Sequence, residues 1–197
     1  MLVSDKYNEI KKKLTPDLMA NLSGTERDEV SSMLSALEIE VKREKTHDSF
    51  LAFAKEVWEP FICGRHHEKM ADAFERVAKG DLKRLMINMP PRMGKSQLTS
   101  WLLPAWIMGR SPEKKIIMAS HTAELALRFG RMVRNLIGSE EFTNLFPKVS
   151  LTADSKAAGR FDVSGGGEYF SVGVGGAVTG RGADLLVIDD PHSGQQG

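Results

Sequence analysis

The sequence predicts an α/β fold, a mostly parallel sheet flanked by helices, with a small helical appendage at the N-terminus. Three observations carry this. Short apolar runs at residues 82–87, 115–120 and 185–188 have the length of strands. Stretches with helical spacing separate them, and strands alternating with helices build parallel sheets. Chemistry-bearing residues then follow two of the runs: Gly94-Lys95-Ser96 after the first and Asp189-Asp190 after the third. Open α/β sheets bind ligands at the carboxyl ends of their strands, which is where both groups fall.

Size and charge bound the answer. A chain of 197 residues can bury one real core. It is 41% hydrophobic and 27% charged, as soluble globular proteins are. The net charge is +1, from 27 basic and 26 acidic residues, so any DNA contact must use a local patch rather than a global field. The single cysteine, Cys63, allows no disulfide within the chain and fits a reducing compartment. No apolar run has the length of a membrane span, and the N-terminus carries no signal-peptide pattern. A cytoplasmic protein is expected.

Residues 1–48 read as the appendage. Thr15-Pro16 looks like an N-cap followed by proline at the first helical position. Thr25 to Asp28 reads as a second start, leading into the stripe Val30, Met33, Leu34, Leu37 and Val41. The run Lys11 to Lys13 reads as a solvated face. The core spans 49–197. Phe50, Phe53, Ala54 and Val57 share one helix face, and Pro60 ends that helix. His66-His67-Glu68 opens the next helix and Gly80 closes it. Adjacent histidines on a helix are expected to face apart, which argues against a metal site there.

Pro90 and Pro91 stop the first apolar run, because neither offers an N–H to a ladder. A strand, a tight loop ending in Gly-Lys-Ser, and a helix form the layout of a phosphate-binding loop. Gly94 lets the backbone approach a phosphate. Lys95 places a compact charge against the β- and γ-phosphates. The Ser96 hydroxyl can ligate Mg²⁺, and the free N–H groups at the helix start complete an anion site. Pro91, Arg92, Met93, Gly94, Lys95, Ser96 and Gln97 are therefore the expected ATP contacts. The full pattern wants glycine where Met89 stands. The competing reading is a proline-stopped turn with Ser96 as a helix cap.

Beyond the loop, Pro104 should kink or split the helix that follows. Thr122 caps a helix to about Ile137, on which Arg128, Arg131 and Arg134 form a basic stripe. That stripe is either solvated or a contact for DNA phosphates or a neighbouring subunit. Residues 139–165 read as an irregular connection, and 165–174 as a strand or hairpin. A glycine-rich loop, 173–182, carries Arg181. The run Leu185 to Ile188 suits a central parallel strand buried on both faces. Asp189 would hold Mg²⁺ through water, and Asp190 would orient or deprotonate an attacking water. Arg181 is either an ordinary loop arginine or a group that stabilises charge on the γ-phosphate, and Arg92 is a second claimant to that role.

Taken together, GDLKRLMINMPPRMGKS, IIMASHTAELALRFGRMVRNLI and SKAAGRFDVSGGGEYFSVGVGGAVTGRGADLLVIDDPHS resemble the large terminase subunit of tailed bacteriophages, over roughly residues 58–193. The loop with Pro-Pro-Arg in place of glycine is itself typical of that family. The resemblance implies a P-loop NTPase fold of the RecA-like (ASCE) kind. It also implies an ATP-driven motor that moves double-stranded viral DNA through a portal protein into a procapsid in the host cytoplasm. The small terminase subunit would be a partner, and the working form a ring of copies, a pentamer in the family. Lys95 and Ser96 match the family's phosphate-loop residues, and Asp189 and Asp190 its Walker B pair. Arg181 lies where the family carries an arginine finger acting in trans. Family members continue into a nuclease domain, which is not expected within these residues. The ATPase core is expected to be incomplete at its C-terminal end, because SGQQG does not read as a domain end.

Overall fold

The computed structural model of the protein describes residues 3–157 and 159–192. The closing SGQQG lies outside the described residues. Helices come first in the chain: α1 (Val3–Lys13), α2 (Pro16–Asn21), α3 (Gly24–Asp48), α4 (Phe50–Val57) and α5 (Arg65–Lys79). Thr15 caps α2 as expected, its hydroxyl accepting from Leu18 N–H at 3.3 Å. The start of α3 falls earlier than expected. Ser23 is its N-cap, and Glu26 reaches back to accept from the Ser23 N–H at 2.8 Å. The capping box is thus Ser23-Gly24-Thr25-Glu26, a complete S-x-x-E pattern.

The last turns of α3 dock onto the core. Val41 and Thr46 are buried. The Trp106 indole N–H donates to the Thr46 carbonyl at 2.7 Å, and Arg43 donates to the Asn144 carbonyl at 2.6 Å. Around Trp106, Phe50 and Phe74 pack edge to face, with centroids 5.5 Å and 4.9 Å from Phe50 to each. In contrast, α1 and α2 bury no residue.

After the loop at 90–94 the chain forms a wide π-helical stretch, Gln97–Leu102, and then α6 (Leu103–Arg110). Pro104 sits at the start of α6, so the helix is split where an N–H is lacking, as expected. Then come β1 (Ile116–Ser120), α7 (Ala123–Ile137), α8 (Glu140–Leu145), β2 (Leu151–Ala157), β3 (Arg160–Val163), β4 (Glu168–Gly173) and β5 (Leu185–Asp189). Thr122 caps α7 as expected, accepting from Leu125 N–H at 3.1 Å. The region 139–165 is more regular than the sequence reading held. The polar run TADSK hid β2, which pairs antiparallel with β3.

The five strands lie in the order β2-β3-β4-β1-β5. Only β4, β1 and β5 run parallel; β2, β3 and β4 form an antiparallel meander. The sheet is therefore mixed rather than mostly parallel, because short turns return the chain through β2, β3 and β4 without a crossover helix. One face is packed. The register sets Tyr169, Met118 and Val187 on that face, where they bury against Phe129, Val133, Leu98 and Phe74.

Two strand expectations are corrected. β5 is an edge strand, and its other face is open: Leu186 and Ile188 are 56% and 58% exposed. α7 and the π-helical stretch pack on the Val187 side, through Phe129, Val133 and Leu98, which explains a run apolar at every position yet buried only at alternate ones. Residues 82–87 form no strand. The segment faces β5 across a groove of about 860 Å³ that is also lined by Phe74, Val77, Leu103 and Ile107. Without a neighbour at strand spacing there is no ladder, and Met86 is left 85% exposed. No helix among the described residues is long and apolar enough to cross a membrane.

Trp106→Ala removes a fully buried ring and the link to Thr46 together. It should lower stability by about 3–5 kcal/mol in urea unfolding, whereas substitution at exposed Met33 should change it by less than about 0.5 kcal/mol.

Candidate functional site

The loop after Met89 turns through two backbone conformations with positive φ. Arg92 has φ 64° and Gly94 φ 80°. Glycine adopts that region freely. Arginine does so at a cost of order 1–2 kcal/mol, so the surrounding structure must hold it there. Pro91 before it has a fixed φ, and the helix starting at Lys95 anchors the far side. Leu98 N–H donates to the Gly94 carbonyl at 3.0 Å, and the Thr99 hydroxyl to the Lys95 carbonyl at 2.9 Å. Pro91, Arg92, Met93 and Gln97 are exposed around the loop, while Gly94, Lys95 and Ser96 are half-buried.

The structure brings the two distant halves of the predicted site together. Lys95 and Asp190 are 95 residues apart in sequence and hydrogen-bonded in space. Lys95 Nζ also lies 3.3 Å from Asp189 Oδ1. The two acids differ in their surroundings. The Asp189 side chain is 5% exposed, and its other oxygen accepts from the Ser100 hydroxyl at 3.0 Å. The Asp190 side chain is 63% exposed. Its backbone has φ 46°, another non-glycine residue in the left-handed region, and its carbonyl accepts from His121 N–H at 3.2 Å, just past β1. Strain of this kind collects at functional sites. Burial pulls the Lys95 pKa down, but the hydrogen bond it donates to Asp190 and the charge of Asp189 outweigh that and hold the ammonium above the ordinary lysine value.

Arg181 does not join this cluster. The chain leaves β4 at the carboxyl end of the parallel strands and must return to their amino end to start β5. Arg181 lies four residues before β5, so it has already arrived there. It pairs with Glu168 at 2.7 Å and its guanidinium stands 4.0 Å over the Phe170 ring. Arg128 and Arg131 are exposed on α7, away from the loop.

Two contributors went unpredicted. Ser100, four residues after Ser96, clamps Asp189 from within the π-helical stretch. His67 was expected to face away from His66. Instead their ring centroids lie 3.8 Å apart in the first turn of α5, and the His67 ring meets the loop at the Met93 carbonyl, 3.1 Å away. No sequence pattern announces that contact, which joins residues 26 positions apart.

A hydroxyl at Ser96 and a buried carboxylate at Asp189 are hard oxygen donors of the kind Mg²⁺ takes, with phosphate and water supplying the remainder. The described residues hold no group of three or more His, Cys, Asp or Glu that could bind a metal by itself.

Comparison with known proteins gives one relevant match. The chain is similar to a phage large terminase subunit. It is 27% identical to "Terminase, large subunit" of Enterobacteria phage T3 over 146 residues, which is 72% of this chain and 24% of the relative. The chain thus spans about a quarter of the length of the curated relative it matches. No protein-family profile and no solved structure matches it.

Replacing Lys95 with methionine would leave the buried Asp189 carboxylate with Ser100 as its only recorded partner. We expect a loss of about 1–3 kcal/mol in urea unfolding without ligand. Because the lysine pKa is raised on folding, its contribution is fully present below the ordinary value of 10.5 and fades only as pH climbs past it. The difference between the two proteins should therefore be flat across neutral pH.

Proposed function

We propose that this chain is the ATPase module of a viral large terminase, hydrolysing ATP to drive double-stranded DNA into a procapsid. The observation that supports it best is the meeting of Lys95 with Asp189 and Asp190 at the carboxyl ends of the parallel strands. A phosphate-binding loop with a basic residue facing a buried acid and an exposed acid is the minimum equipment for phosphoryl transfer to water. The similarity to a terminase large subunit supports a role in phage DNA packaging in general; on this reading the partners would be the portal protein, the procapsid and the small terminase subunit.

In this reading the acids hold the place of the nucleotide. Lys95 leaves Asp190 to meet the β- and γ-phosphates, and the N–H groups from Arg92 to Ser96 cradle them. Ser96 and Asp189 would hold the Mg²⁺, which would supply charge neutralisation to the phosphates when bound. Asp190, freed and exposed, orients the attacking water. A carboxylate one methylene shorter than glutamate requires that water to sit close to the end of β5. Arg181 cannot serve the site of its own copy, since strands of five residues, about 13 Å end to end, lie between them. Its position at the amino end of the strands suits a head-to-tail ring, in which one copy's amino end meets the next copy's site. For that the Arg181–Glu168 pair must open.

A second reading is a module that binds ATP without turning it over. It is favoured by the distance of Arg181 from the site and by the open edge of β5. A P-loop ATPase of helicase type would hydrolyse ATP with DNA but without dependence on a portal.

The deciding measurement is ATP hydrolysis across a range of protein concentration, with and without double-stranded DNA. Turnover that rises steeply with concentration and with DNA is expected of the motor module. Binding with no turnover under any condition supports the second reading. Lys95→Ala should abolish hydrolysis, and wild-type rates in that variant would sink the site assignment. Arg181→Ala should reduce kcat by about 10³-fold or more with ATP affinity within about twofold, as expected of a group engaged only in the transition state.

A further inference from the structure

We propose that His67 is a positioning residue for the phosphate loop, holding the Met93 carbonyl so that the next peptide N–H points to the ligand side. This rests on reading residues 90–96 as the phosphate site. His67 is 8% exposed and occupies the third position of α5. Its Nδ1 accepts from the Gly64 N–H at 3.0 Å, which fixes the tautomer: the ring proton must sit on Nε2. Nε2 then donates to the Met93 carbonyl at 3.1 Å. The ring cannot swing away, because Phe61 and His66 flank it with centroids at 5.0 Å and 3.8 Å.

The consequence follows from peptide geometry. In a planar trans peptide the C=O and N–H point in opposite directions. Pinning the Met93 oxygen on His67 therefore aims the Gly94 N–H away from α5, and it finds no protein acceptor among the described residues. The contact falls between Arg92 and Gly94, the two positive-φ residues, where the backbone has most to gain by leaving its conformation. Space is closed as well. A Cβ on Gly94 would stand 3.1 Å from His67 Nε2 and 3.8 Å from the Trp58 ring, so histidine and glycine fit as a pair.

The test separates the loop contact from the cap on α5. His67→Gln keeps both, since its amide oxygen can accept from Gly64 and its NH₂ can donate to Met93. His67→Glu keeps only the acceptor. His67→Met carries neither donor nor charge and controls for repulsion between glutamate and phosphate. Two readouts are used on the whole chain, with thermal unfolding to show that each variant is folded. The first is amide hydrogen exchange at Leu98 without ligand, because its N–H is bonded to the Gly94 carbonyl and is protected only while the loop is held. The second is affinity for Mg·ATP. The Gln variant should match wild type within about twofold in both, while Glu and Met should exchange faster and bind about tenfold more weakly, the size expected for one lost hydrogen bond. Equal exchange in the Gln, Glu and Met variants overturns the brace. Faster exchange with unchanged ATP affinity overturns its role in binding. Wild type that fails to bind Mg·ATP at all overturns the phosphate-site reading itself, and the exchange data then show whether the brace survives as structure alone.

Discussion

The contact on which the site depends is the bridge from Lys95 to Asp189 and Asp190. It ties the only helix that starts in the loop to the strand at the sheet's edge. β5 has one strand neighbour, β1, and one helical layer beneath it. Its carboxyl end is fixed from three sides: the Ser120 hydroxyl donates to the Asp189 carbonyl at 2.9 Å, His121 N–H to the Asp190 carbonyl, and Ser100 to the Asp189 carboxylate. Two of these run through β1 or the residue after it, so β1 carries the alignment of the acids. The lysine closes the arrangement from the loop side. A charge half-buried between two carboxylates is worth holding only if geometry is good, because desolvation opposes it.

That balance also makes the bridge exchangeable. In the proposed ATPase a triphosphate would offer Lys95 more negative charge than the two acids do, so binding would replace one set of anionic oxygens with another at little cost to the lysine. The backbone cannot adjust as cheaply. Arg92, Gly94 and Asp190 all have positive φ, two of them without the freedom of glycine. Such residues relax unless held, and each has a holder: Arg92 and Gly94 stand on either side of the Met93 carbonyl that His67 engages, and Asp190 is fixed by His121. The side chains at this site are mobile in role, and the main chain is not.

How much of this could be read from the sequence follows from how local each signal is. Gly94-Lys95-Ser96 and Asp189-Asp190 were legible because their chemistry is compact and each follows an apolar run. β1, α5 and α7 were legible from periodicity and from caps at Thr122 and Gly80. What failed depends on partners. Residues 82–87 have strand composition, but a strand needs a neighbour, and β5 lies across a groove. Leu185 to Ile188 is apolar throughout, which reads as burial on both faces, yet the helices cover one. β2 went unread because TADSK is polar and its partner, β3, lies after a turn. The His67 contact joins a helix start to a loop through a backbone oxygen, and no residue type marks a carbonyl.

The open features of the fold share one direction. Leu186 and Ile188 on β5, and the groove that residues 82–87 share with it, lie on the side of the sheet away from β2 and β3. Residues 83–92 make no backbone hydrogen bond among the described residues. Unpaired strand edges are costly to leave bare and are normally shortened, charged or covered. Lys83 and Arg84 supply charge along one wall of that groove. Neither stands on β5, whose only ionised side chain, Asp189, is engaged by Lys95 and Ser100. The site therefore sits between a completed half, fixed through β1, and a half whose backbone polar groups still face solvent. Phosphate binding at 90–96 would be governed from the end of β5 through Asp189, which Ser120 and His121 hold in line, and from α5 through His67.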